Sequence, residues 1–67
     1  MENLRLCILD IIKKDEEYIA EYDQMVSELK TEENKARWMP FYEAILGFKK
    51  REIVKYKNVA EDYGITL

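Results

Sequence analysis

Leu4, Ile8, Ile11, Tyr18, Tyr22, Met25 and Leu29 recur in a rhythm of four and three residues that only Asp15 interrupts, and Ile12, Ile19 and Val26 widen the stripe by one position. Such steps return a side chain to the same side of an α-helix, so the pattern predicts an amphipathic helix over residues 3–30, a stretch without Gly or Pro. Between residues 4 and 12 only Arg5 and Asp10 are polar. One neighbouring helix does not cover so wide an arc, and this end is expected to contact two or more. A buried strand over residues 4–12 alone is the alternative, but the same rhythm runs well past them.

Thr31 followed by Glu32 and Glu33 reads as an N-cap with an acidic first turn, suited to the positive end of a helix dipole. Pro40 disfavours α conformation at Met39 and removes a donor. A helix begun at Glu32 is therefore expected to stop or kink near Trp38, with the long second helix starting close to Pro40 and residues 31–40 forming a structured bend. Beyond it the rhythm resumes through Tyr42, Leu46, Ile53, Tyr56, Ala60 and Tyr63, with Ile45, Val54 and Val59 alongside and Lys49 as the one polar member. Gly47 weakens this helix by about 1 kcal/mol relative to Ala, or allows a close helix approach. At the end two readings compete. Gly64 can close one continuous helix in left-handed conformation with Ile65 folding back over it. Against this, Glu61 and Asp62 would lie at the negative end of the dipole, and Asn58 with Glu61 resembles a capping box opening a separate turn. The continuous helix is the preferred reading.

These elements predict an all-α fold: a single domain over residues 1–67, a hairpin of two long helices completed as an antiparallel bundle by self-association. Size motivates the last step. A chain this short buries only about 60% of its unfolded surface, and ordering it opposes folding by about 100 kcal/mol. With one cysteine and no histidine, a disulfide or a metal staple is not expected, which leaves a homo-oligomer. Cys7, inside an apolar run, is expected to be a small buried hydrophobe. A lone cysteine also suggests a reducing, cytoplasmic compartment. Charges interrupt every apolar run before it reaches membrane-spanning length, and Glu2 with a single Arg5 ahead of the apolar stretch does not resemble a secretory signal.

Charge adds an order along the chain. Residues 10–33 hold nine acids against three lysines, and residues 34–58 hold seven bases against two acids, within a net charge of −3. Oppositely charged halves attract each other or an equally polarised copy, which favours the hairpin. Asp15 and Lys49, polar interruptions of opposite sign in the two rows, are expected to pair and fix register, within one chain or between two.

Candidate chemistry is sparse. No histidine can serve as a base, and Ser27 and Cys7 are the only Ser and Cys, so no catalytic residue is assigned and an enzyme is not expected. The dense carboxylates Asp15, Glu16, Glu17, Glu21 and Asp23 read as a solvated face. Neither a metal site nor a cofactor site is assigned, since soft ligands and glycine-rich phosphate loops are missing. Arg37, Trp38, Met39, Phe41 and Tyr42, flanking Pro40, form the expected partner interface, because Trp, Tyr and Arg concentrate binding energy. Trp38 and Tyr42 are expected to remain partly exposed. Lys49, Lys50, Arg51, Lys55, Tyr56 and Lys57 form a second candidate face, for nucleic acid or for an acidic partner. A pI near 4.9 opposes the nucleic-acid reading, and pairing with the acidic first helix is preferred. Residues 59–66 faintly resemble the first helix and turn of a helix-turn-helix, for which a recognition helix would have to follow Leu67. The expected function is thus a non-enzymatic protein–protein interaction module, such as a small adaptor, inhibitor or regulatory subunit, with a nucleic-acid-associated accessory protein as the alternative.

Overall fold

The computed structural model describes residues 2–67, and Met1 of the expected single domain lies outside the described residues. Two antiparallel helices, α1 (Glu2–Ser27) and α2 (Glu32–Asp62), form a helical hairpin with no strand among the described residues. The hairpin measures 47 × 15 × 13 Å. At 1.5 Å per residue, the 31 residues of α2 extend about 46 Å, so this one helix runs the length of the molecule.

The connector is much shorter than the expected bend of residues 31–40. It occupies residues 28–31, and Thr31 caps α2 as predicted: its backbone is extended and its Oγ1 accepts from the Asn34 amide at 3.1 Å. Glu32 and Glu33 supply negative charge at the positive end of the dipole. Pro40 lies inside the helix instead of starting it. A proline leaves the carbonyl four residues back without its amide partner and crowds it. Here that residue is Ala36, and both Ala36 and Pro40 are exposed, so the carbonyl stays open to water. Met39 and Tyr42 meanwhile are half-buried on either side of the proline and carry the helix through it.

The far end of α2 follows the continuous reading. Gly64 is left-handed (φ 68°), the Gly64 amide donates to the Glu61 carbonyl at 3.0 Å, and the Ile65 amide donates to the Ala60 carbonyl at 2.7 Å. This pair of bonds closes the helix and returns Ile65 to the core. The core sits at this end: Ile8, Ile12 and Ala60 are buried together, with Ile53, Tyr56, Val59 and Ile65 packed against them. Arg5 fastens the returning chain by donating from Nε to the Thr66 carbonyl at 3.1 Å. Ile8 and Ile12 thus meet α2 and the C-terminal turn, but Leu4 and Leu6 remain exposed, so the wide apolar arc of α1 is not covered by the two or more helices expected of it. Cys7 corrects the expectation of burial, since it is exposed. A single facing helix covers the line through Ile8, Ile12 and Asp15, and Cys7 lies outside it.

No helix among the described residues is long and apolar enough to cross a membrane. Because Pro40 costs an exposed helix interior about 3 kcal/mol relative to Ala, Pro40→Ala should raise the unfolding free energy by about 2–3 kcal/mol in urea denaturation. A variant no more stable than the parent would place a break in α2 at this position.

Candidate functional site

Two rows of side chains run along α2. Met39, Tyr42, Leu46, Lys49, Ile53, Tyr56 and Ala60 form the inner row at steps of three and four, and all are buried or half-buried against α1. One residue earlier runs an outer row at the same spacing: Trp38, Phe41, Ile45, Phe48, Glu52 and Lys55. Its four large apolar members are exposed, Trp38 at 44%, Phe41 at 61%, Ile45 at 41% and Phe48 at 53%. Trp38 and Phe41 lie in tilted contact with ring centroids 6.1 Å apart.

The residues expected to form one partner patch are therefore divided. Arg37, Trp38 and Phe41 face outwards, while Met39 and Tyr42 turn towards α1. None lies in a bend. Trp38 and Tyr42 do remain partly exposed. Ile45 and Phe48 extend the outer row beyond the expected residues, and the signal for them is the spacing 38, 41, 45, 48, visible once residues 32–62 are taken as a single helix.

Asp15 and Lys49 meet within one chain. Lys49 Nζ lies 3.2 Å from Asp15 Oδ1, and this is the one ion pair between the two helices among the described residues. Asp15 is 1% exposed, and the Lys49 side chain 28%. Lys49 Nζ also stands 6.0 Å from the centroid of the Tyr18 ring, within cation–π range. The centre is incompletely satisfied: Asp15 Oδ2 and the Tyr18 hydroxyl are buried and have no hydrogen-bond partner. Glu52, which the sequence reading passed over, approaches the same place. Hydrogen bonding to Asp15 raises the Glu52 carboxyl above its usual value, with burial and the Asp15 charge adding to it and Lys49 and Lys55 opposing. Further along, burial and then the Glu43 carboxylate raise the Tyr22 phenol.

The preferred pairing of the basic stretch with α1 holds for Lys49 alone. Lys50, Arg51, Lys55 and Lys57 are exposed, and Lys55 Nζ sits 5.8 Å from the centroid of the Tyr56 ring. At 100° per residue, Lys50 and Lys57 fall on one side of α2 and Arg51 and Lys55 on another, so these cations form no single stripe. The remaining ion pairs are local: Glu2 with Arg5 at 3.2 Å, Asp10 with Lys14 at 2.9 Å and Glu32 with Lys35 at 3.7 Å.

Asp15 is enclosed and Lys49 can reach water, so the pair should respond asymmetrically to truncation. Lys49→Ala leaves a buried uncompensated carboxylate and should cost about 3–5 kcal/mol, whereas Asp15→Ala lets the lysine extend to solvent and should cost clearly less. The double variant should cost less than the two single losses added together. Equal and additive losses in urea titrations would show two independently solvated groups.

The raised Glu52 carboxyl sets a pH dependence of definite sign. Its folded value lies above its unfolded one, so the folded state binds more protons across the window between them. Glu52 therefore contributes stability that grows as pH falls through its raised folded value towards its ordinary one. Glu52→Gln should flatten this rise and melt higher than the parent at pH 7. A Glu52→Gln profile that runs parallel to the parent's over that interval would contradict the assignment.

Comparison with protein-family models, curated proteins and solved structures gave no match, so the functional reading rests on the two rows of α2 and the polar centre between the helices.

Proposed function

We propose that the protein is a non-enzymatic protein–protein interaction module, a small adaptor, inhibitor or regulatory subunit, working in a reducing, cytoplasmic compartment. The observation that carries this reading is the exposed row Trp38, Phe41, Ile45 and Phe48. Scattered exposed apolar residues are ordinary, but four large ones in a continuous helical row form a surface that water covers at a cost. Aromatic side chains contribute large contact area and few rotatable bonds, and binding energy concentrates in such anchors. Arg37 beside Trp38 supplies a polar member of the type enriched at these surfaces. The row also stands on a helix held by the inner row, so it is presented without prior ordering of a loop.

A second reading, a nucleic-acid-associated accessory protein, draws on the exposed cations Lys50, Arg51, Lys55 and Lys57. Their division between two sides of α2 and the net charge of −3 weigh against it.

Immobilised protein should retain a specific host protein, and Trp38→Ala should weaken that capture at least about thirtyfold with helicity by circular dichroism unchanged. Capture indifferent to Trp38 would overturn the reading. Retention of RNA or DNA that falls steeply with added salt, and that Lys50→Ala with Lys57→Ala abolishes, would favour the second one.

A further inference from the structure

The outer row of α2 has two different edges. At 100° per residue it lies about 90° around the helix from the inner row that meets α1. Its other edge, about 70° further round, carries Arg37, Arg51 and Lys55, all exposed. No acid falls on that edge between Arg37 and Lys55. Glu43 is on the opposite side of the helix, and Glu52 ends the row itself, where it belongs to the polar centre with Asp15 and Lys49. Glu33 shares the edge but lies one turn before Arg37, outside the length of the row. None of the three cations has an ion-pair partner among the described residues. Phe48, Arg51 and Lys55 line one shallow groove together with Glu52, so apolar and cationic side chains are presented side by side.

A partner that fits is apolar along one line and acidic along one side of it. From Trp38 to Phe48 the row is about 15 Å long, close to three turns of a helix. An amphipathic helix supplies both features, with large apolar residues at steps of three and four and carboxylates on one flank. A flat anionic bilayer fits less well. A plane resting on the outer row runs parallel to the plane of the two helix axes, so it would rest on α1 as well. Residues 10–33, most of them in α1, hold nine acids against three lysines, and an anionic surface would be repelled there. A helix lying on the row can turn its acids towards the cationic edge, away from α1.

We propose that the outer row of α2 receives an amphipathic helix of a partner protein, its apolar residues along Trp38, Phe41, Ile45 and Phe48 and its carboxylates along Arg37, Arg51 and Lys55. The proposal rests on the reading of this row as an interaction surface and adds the chemistry of its occupant. Apolar contact supplies most of the affinity. The cationic edge selects the partner, because a helix with basic residues on that flank meets like charge.

Two synthetic helical peptides about four turns long, identical in their leucines and carrying either glutamates or lysines along one flank, test this through Trp38, the one tryptophan of the chain. The glutamate peptide should shift Trp38 emission to the blue saturably, and added salt should weaken it. The lysine peptide should bind at least about tenfold more weakly. Arg51→Glu with Lys55→Glu should erase that preference with helicity by circular dichroism unchanged, and Phe48→Glu should weaken the glutamate peptide at least about thirtyfold. Equal affinity for the two peptides, binding of neither, or a preference that survives the charge reversal would overturn the proposal. A blue shift on vesicles of phosphatidylglycerol and phosphatidylcholine with none on the glutamate peptide would overturn it in favour of a membrane surface. A dimer in light scattering of the protein alone that Phe48→Glu dissociates would overturn it in favour of a second copy. If the peptide preference fails while host-protein capture still depends on Trp38, the row remains an interaction surface for a partner of other chemistry. Capture indifferent to Trp38 would remove the surface as well.

Discussion

Two antiparallel helices bury only the residues along the line where they touch. In a chain of 67 residues that line is all the core available, which explains why Ile8, Ile12, Leu29 and Ala60 are the buried apolar residues. A contact line this narrow specifies register weakly, because leucines and isoleucines exchange neighbours at small cost when one helix slides by a turn. Asp15 removes that freedom. Its enclosed carboxylate requires a cation, and Lys49 at 3.2 Å is the one cation α2 delivers to it. A slip of one turn would leave Asp15 buried without a counter-charge, at a cost comparable to the whole stability of a small domain.

The same pair limits how firmly the hairpin is held. Asp15 Oδ2 lacks a donor, the Tyr18 hydroxyl is likewise unpartnered, and Glu52 brings a second carboxyl to the site. Partly satisfied buried polar groups specify one arrangement while contributing little net stability. A hairpin with a thin core and a polar centre of this kind is favoured by anything that binds its folded form, a partner protein or a second copy included. Stability and interaction are in that sense one problem for this chain.

Much of the hairpin is legible in the sequence, because it depends on local rules that nothing overrides. Thr31 caps because its side chain reaches an amide three residues ahead, and Gly64 closes α2 because it tolerates positive φ. Asp15 and Lys49 stand out because each breaks an apolar row with opposite charge. Pro40 is where local rules mislead. Its missing hydrogen bond falls on the solvent side at Ala36, and packing through Met39 and Tyr42 on the other side outweighs it. That single error turns residues 31–40 into a bend and hides the continuation of Trp38 and Phe41 into Ile45 and Phe48. Burial of Cys7 fails for a different reason: an apolar run implies a core only when there are enough neighbours to cover every side of it. Glu52 is illegible because its meaning comes from Asp15, 37 positions earlier.

Asp15 and Lys49 of the same chain set the register of the hairpin and leave the outer row of α2 free. Isotope-filtered nuclear Overhauser spectroscopy on an equal mixture of labelled and unlabelled protein separates contacts within a chain from contacts between chains. The cross-peaks linking Asp15 to Lys49 and Ile8 to Ala60 should appear only in the intrachain spectrum. The same cross-peaks in the interchain spectrum would show helices exchanged between copies and a register set by a neighbouring chain instead.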